Sequence, residues 1–142
     1  MSVPLPRLSS AYLVEQAVLG EQSKVVCLRF GQDFSPECMR MDEVLSSAAE
    51  ALAPACSIYA VDMREVPECV TEFQLAASAQ LIFFFKGKVL ELDLGSGPQR
   101  KVDLALSGRQ EFMDLVEAVC RGAQQGMQLI VAPRDYSMQF RY

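Results

Sequence analysis

The sequence predicts an α/β domain in which helices cover both faces of a mixed sheet. Three observations lead there. Segments of helical periodicity alternate with short apolar runs in the order helix, strand, helix, strand, helix, strand, strand, helix. The first strand–helix–strand crossover makes parallel neighbours, and a tight reversal between the last two strands makes antiparallel ones. With 142 residues, 51% of them hydrophobic, the chain can bury one real core but not two ordinary ones.

An extended start holds Pro4 and Pro6. Ser10 is placed to cap a short helix whose apolar positions Leu13, Val14, Ala17 and Val18 share a face, with Gly20 near its end. Residues 24–30 read as a central strand, because Val25, Val26, Cys27 and Leu28 form a continuous apolar run suited to burial on both faces. Ser35 and Pro36 have the arrangement of an N-cap and first helical residue. The helix they open carries Met41, Val44, Leu45, Ala48 and Leu52 on its apolar side, is favoured by Glu37 at its positive end, and stops at Pro54.

A second strand over 57–61 leads to Asp62 and a short irregular helix around 67–73. Residues 81–85 are solidly apolar, whereas 89–94 alternate, with Leu90, Leu92 and Leu94 set against Val89, Glu91 and Asp93. Lys86, Gly87 and Lys88 between them predict a hairpin. After a loop of Gly95, Ser96, Gly97 and Pro98, a capping box of Ser107 and Gln110 introduces a last helix displaying Phe112, Leu115, Val116 and Val119. Residues 1–142 are expected to be a single domain, with 121–142 as a C-terminal extension. Its apolar stretch Leu129, Ile130 and Val131 is poorly suited to water and should pack on the domain or on a partner.

Charge and motif content exclude several functions. Lys and Arg number 13 against 18 Asp and Glu, a net charge of -5, so capture of a phosphate backbone by the molecule as a whole is unfavourable. No apolar run approaches a membrane span and no secretory signal is evident, which predicts a soluble intracellular protein with no membrane contact. The cysteines Cys27, Cys38, Cys56, Cys69 and Cys120 form no C-x-x-C and are odd in number, which argues for a reducing compartment. Without histidine or closely spaced cysteines, neither a metal nor a cofactor is expected. No serine has a histidine to activate it, and no Gly-rich phosphate loop follows a strand.

Cys38 invites an enzyme reading. It sits near the third position of its helix, where free backbone donors and the helix field can stabilise a thiolate, as in a thiol redox enzyme or sensor. A dithiol cycle needs a second thiol, and three residues upstream stands Ser35, which is not redox-active. Inert packing and a contact surface remain the alternatives for Cys38. The segment able to approach it, Ser78, Ala79 and Gln80, offers no thiol, and the other four cysteines read as small buried hydrophobes. Asp33, Glu37, Asp42 and Glu43 read as solvated charges at a helix end, and so do Asp62 and Asp93 unless one is buried. Phe83, Phe84 and Phe85 are assigned to the sheet core. Arg121, Arg134 and Arg141 interleave with Tyr136, Phe140 and Tyr142, a mixture suited to a protein interface; given the acidic total, any RNA contact is expected to be indirect.

Taken together, several stretches carry a resemblance. They are 26–33 (VCLRFGQD), 36–45 (PECMRMDEVL), 58–62 (IYAVD) with Glu65, Val66 and Pro67, the run Phe83–Phe85, Asp93-Leu94-Gly95, Arg121-Gly122-Ala123, and the ending Pro133-Arg134-Asp135-Tyr136-Ser137 with Phe140-Arg141-Tyr142. The chain resembles, over essentially its whole length, the thioredoxin-like subunit of the U5 spliceosomal ribonucleoprotein. The resemblance implies a thioredoxin-like fold, with a four-stranded mixed sheet flanked by helices and a C-terminal extension. It implies a nuclear, non-enzymatic component of the U5 snRNP and U4/U6.U5 tri-snRNP acting in pre-mRNA splicing, in a family first tied to mitotic progression. The partners it implies are the large spliceosomal scaffold protein, a repeat-containing tri-snRNP bridging protein and, in some organisms, a GYF-domain adaptor. Partner contacts are expected at Asp33, Phe34, Glu37 and Cys38 and at Arg134, Asp135, Tyr136, Phe140, Arg141 and Tyr142. Two departures stand out. Ala79 occupies the position where relatives commonly carry a cysteine able to pair with the one matching Cys38, and Gln80 stands where thioredoxins keep a cis-proline. Both weaken the redox alternative.

Overall fold

A computed structural model of the chain describes residues 4–103 and 105–133. Strand β1 (Val25–Gly31) is buried along its whole length, and its side-chain alternation divides the interior in two. Val25 and Cys27 join one core, while Val26, Leu28 and Phe30 join the other. Helix α1 (Ala11–Gly20) precedes β1, and helix α2 (Pro36–Leu52) connects it to β2 (Cys56–Asp62), which lies parallel to it. Helix α3 (Pro67–Glu72) leads into β3 (Ala79–Phe85), antiparallel to β1 on its other side, and β4 (Lys88–Val89) completes a sheet of order β2-β1-β3-β4. Phe83 and Phe84 face opposite cores, as a strand period of two requires.

Two of the three predicted serine caps form, those of α1 and α2. The Leu13 N–H donates to Ser10 Oγ at 3.2 Å, and the Cys38 N–H to Ser35 Oγ at 3.1 Å. Each such cap is worth about 1 kcal/mol. Helix α2 buries Cys38, Met41, Leu45, Ala48 and Leu52, a spacing of three and four residues that places one stripe against the sheet. Helix α4 (Arg109–Gln124) buries Phe112, Leu115, Val116 and Val119 in that same core. Helices α1 and α3 cover the opposite face through Val14, Val18 and Cys69. Leu13, by contrast, is exposed. The face of α1 that meets the sheet centres on Val14 and Val18, and one helical residue turns by about 100°.

Three local expectations change. The alternating run 89–94 is not one strand: after Leu90, whose N–H still donates to the Phe83 carbonyl at 2.8 Å, it leaves β3, and Glu91–Asp93 becomes β5 of a second sheet. That sheet has the order β6-β5-β7, with β6 (Pro98–Gln99) antiparallel and β7 (Leu129–Val131) parallel to β5. The apolar stretch 129–131 thus supplies a partner that draws the chain away from β3, and Leu90, Leu92 and Leu94 keep their predicted burial. Ile130 enters the core while Leu129 and Val131 stay exposed. The cap of α4 also differs. Ser107 donates to Glu111, through its N–H (3.1 Å) and its hydroxyl (2.9 Å), whereas Gln110 bonds Asp114. The carboxylate one position further along is the one that folds back over the helix start. Finally, the extended start is part of the sheet system: the Leu8 N–H donates to the Ala60 carbonyl and the Ala60 N–H to the Pro6 carbonyl, beside β2.

Candidate functional site

Because β1 and β2 are parallel, Gly31 and Asp62 pair at the same end of the sheet, and α2 starts there. Arg29 follows Val25 and Cys27 on the α2 side of β1, so a guanidinium stands at a core position. It is fully buried. Burial disfavours its charge, and hydrogen bonds to Asp42 more than offset this, which leaves its pKa raised. Arg29 Nε donates to Asp42 Oδ1 at 2.7 Å and Nη2 to Asp42 Oδ2 at 2.9 Å, a paired geometry that fixes the plane of the group. Nη2 also reaches Asp33 Oδ1 at 2.9 Å, and Nη1 reaches the Val61 carbonyl at 3.2 Å. One arginine therefore ties β1 to α2, to the loop between them, and to β2.

Asp33 is shared. Its second oxygen accepts from Arg7, which also meets Glu65 at 3.5 Å, so the segment that lies beside β2 is fastened to the loop preceding α2. Next to it, Asp62 is buried, unlike the solvated strand-end charge expected from sequence. Burial would raise its pKa, but bonds from Arg64 outweigh that and hold the carboxyl at about 2. Arg64 donates from its backbone N–H (2.8 Å), Nε (3.3 Å) and Nη2 (3.1 Å). The exposed Arg64 guanidinium lies 4.4 Å from the centre of the Phe34 ring, and Phe34 is 59% exposed.

Cys38 stands under this cluster, fully enclosed, and burial pushes its thiol up to about 12; the Arg29 charge pulls the other way, and Asp42, Asp33 and Asp62 add to the rise. The helix-start field expected to favour a thiolate is overridden. Space is tight around the sulfur: a Cβ on Gly31 would come 2.5 Å from it and 3.0 Å from the Ser78 carbonyl oxygen. That carbonyl accepts from the Gln32 N–H at 3.0 Å, so the segment before β3 approaches the α2 start as expected. Gln80 is buried and locks this corner, donating to the Phe30 carbonyl at 2.8 Å and accepting from the Ala77 N–H at 3.1 Å. Asp33, Cys38 and Asp42 offer ligand atoms within 4.8 Å of one another. Those residues do not suit a cation, because Arg29 already holds both Asp42 oxygens and one of Asp33, and the thiol carries its proton.

The structure brings Asp33, Phe34, Glu37 and Cys38 together with three residues that sequence reasoning passed over: Arg29, Arg64 and Arg7. The signal for Arg29 was present, as a lone charge in an apolar strand four residues before Asp33. Asp33 and Asp42 are arginine ligands rather than solvated capping charges. Glu37 is half-buried and accepts from the Ser78 hydroxyl at 3.5 Å. Arg134, Asp135, Tyr136, Phe140, Arg141 and Tyr142 lie outside the described residues.

Comparison with known proteins gives this geometry a lineage. Residues 4–136 match the family described as Mitosis protein DIM1. The chain is 40% identical over 142 residues to Mitosis protein dim1 of Schizosaccharomyces pombe, covering 100% of both chains. It is 38% identical over 136 residues to Spliceosomal protein DIB1 of Eremothecium gossypii, covering 96% of this chain and 95% of that one. Among solved structures, Fasciola hepatica thioredoxin aligns with a TM-score of 0.62 at 12% identity, covering 80% of this chain and 97% of the other, which shows the fold alone. The fold is thioredoxin-like, and the chain belongs to the Mitosis protein DIM1 family.

Proposed function

We propose that the chain is a nuclear protein-interaction component of the spliceosome, acting in pre-mRNA splicing without catalysing a reaction, and within it a member of the U5 snRNP and the U4/U6.U5 tri-snRNP. The observation that carries this reading is the state of the α2 start. Where a thiol redox enzyme needs an accessible thiolate, this chain has an enclosed, protonated Cys38 beneath a buried arginine cluster. Above it lies an exposed rim of Phe34, Arg64, Arg7 and Glu65, the aromatic and arginine mixture favoured at protein contacts. Full-length relatives named as spliceosomal support the same reading. The partners that fit are the large scaffold protein, the repeat-containing bridging protein and a GYF-domain adaptor, with RNA contact indirect. They are met through Asp33, Phe34 and Glu37, with Cys38 as packing beneath them, and through the C-terminal residues Arg134, Asp135, Tyr136, Phe140, Arg141 and Tyr142.

Purification of the tagged chain from nuclear extract tests this directly. Recovery of U5 RNA with its proteins is the expected result, and a preparation lacking both overturns it. Deleting 133–142 and, separately, replacing Phe34 with Ala is expected to reduce recovery of the particle; unchanged recovery from both variants would remove these two surfaces from the interface.

A further inference from the structure

Three of the five cysteines gather at the opposite pole of the sheet from Cys38. Cys56 opens β2, and its partner in β1 is Val25. Cys27 lies two residues along β1 from Val25, which places it on the same face. Cys120 comes down on this face from α4, its sulfur 3.5 Å from the Ala55 carbonyl oxygen, one residue from Cys56. Each thiol donates to a carbonyl of the same stretch, Cys120 to Ala55 at 3.5 Å and Cys56 to Ser57 at 3.8 Å, and the two side chains are neighbours that perturb each other's titration. Two strand positions and one helix position thus bring thiols together from points up to 93 residues apart in the chain.

We propose that Cys56 and Cys120 form a peroxide-oxidisable dithiol, closing into an intrachain disulfide that joins β2 to α4. Access differs between the two sulfurs: Cys120 is 9% exposed and Cys56 1%. Cys120 is therefore the point of entry. The neighbouring Cys56 side chain lowers the Cys120 pKa, against burial and the charge of Glu117, whereas the neighbouring Cys120 and burial raise the pKa of Cys56. Cys27 is fully buried, with its pKa pushed far up by burial, and remains a spectator.

The chemistry balances with hydrogen peroxide as the oxidant. The Cys120 thiolate attacks one peroxide oxygen, the O–O bond breaks, and the departing hydroxide takes a proton to become water. The Cys120 sulfenic acid is then attacked by the Cys56 sulfur. The S–O bond breaks as the S–S bond forms, and the released hydroxide takes the Cys56 proton as a second water. Two thiols lose two electrons and two protons to one peroxide. In a reducing compartment the bond is transient and is returned to thiols by a dithiol reductant.

The sequence makes the test clean, because cleavage after Lys and Arg places each of the five cysteines on its own peptide, Cys56 on 41–64 and Cys120 on 110–121. The reduced full-length chain is treated with hydrogen peroxide, its remaining thiols are blocked with an alkylating agent, and the digest is read by mass spectrometry without reductant. Peptides 41–64 and 110–121 are expected to appear joined, to separate on adding dithiothreitol, and to accompany a rise in Tm of about 10 °C. Joining should be lost in Cys56→Ser and Cys120→Ser and kept in Cys27→Ser and Cys38→Ser. Unjoined peptides after peroxide, or a disulfide through another cysteine of the unaltered chain, would overturn the proposal whatever the variants do.

Discussion

Replacing Asp42 with Asn should destabilise the fold more than replacing Arg29 with Met, although both break the same pair. The reason is where water can reach. The Arg29 side chain has no exposure, while Asp33 and Asp42 are 31% and 30% exposed. Asp42→Asn removes the paired charge and turns an amide donor toward the guanidinium, leaving a buried cation beyond water's reach with the single Asp33 contact as its remaining counter-charge. Breaking a buried ion pair in this way costs about 4 kcal/mol. Arg29→Met leaves two carboxylates that hydrate at the surface and a Val61 carbonyl without its 3.2 Å partner, a loss of about 2 kcal/mol. The combined variant has no under-compensated buried cation and should cost no more than Arg29→Met alone, so the double-mutant coupling is large. Urea unfolding followed by far-UV circular dichroism reads this as a drop in midpoint of about 2 M for Asp42→Asn and about 1 M for Arg29→Met. A reversed order, or a cost below about 1 kcal/mol for Asp42→Asn, the range of exposed pairs, would refute the reasoning.

Alkylation of Cys38, followed by mass spectrometry of its peptide, should be slow at neutral pH and rise about tenfold per pH unit, without levelling off below pH 10, as a thiol at about 12 requires. A plateau near pH 8 would mean the thiolate is stabilised after all. Gly31→Ala should destabilise by about 2 kcal/mol in urea titration, because its Cβ meets the Cys38 sulfur and the Ser78 carbonyl; a cost under about 0.5 kcal/mol would show that the corner relaxes. Asp62, held at about 2 against an ordinary 3.8, contributes stability that is complete above the unfolded value and is lost as the pH falls through the folded one. Thermal unfolding of the wild-type chain and Asp62→Asn should accordingly converge between pH 4 and pH 2; a constant difference across that range would assign the effect to another group.

The layers of this fold were legible because each rests on a local pattern. The serine caps of α1 and α2, the apolar run of β1 and the three-and-four spacing in α2 are short-range signals present in the structure, whereas the capping box expected for α4 is not. The second sheet was not legible. Its strands have two or three residues, and β5 is separated by 35 residues from the parallel partner that decides its course. The candidate site was half legible for the same reason. Asp33, Glu37 and Cys38 are adjacent in sequence, but their environment depends on a guanidinium from β1 and on Arg7 and Arg64 from elsewhere. A cysteine at a helix start reads as activated only while its burial is unknown.

The pairing of residues 6–8 with Ala60 has a bearing on how other molecules can engage this sheet. On the far side, Leu81 exchanges hydrogen bonds with Val102, at 2.8 Å in each direction. Both outer margins of the four-stranded ladder are thus stopped midway by the chain's own backbone, which denies an incoming peptide the continuous row of free amides and carbonyls that strand addition demands. Recognition at this sheet must therefore be written in side chains, where a single residue can alter the choice of companion and leave the backbone frame as it was.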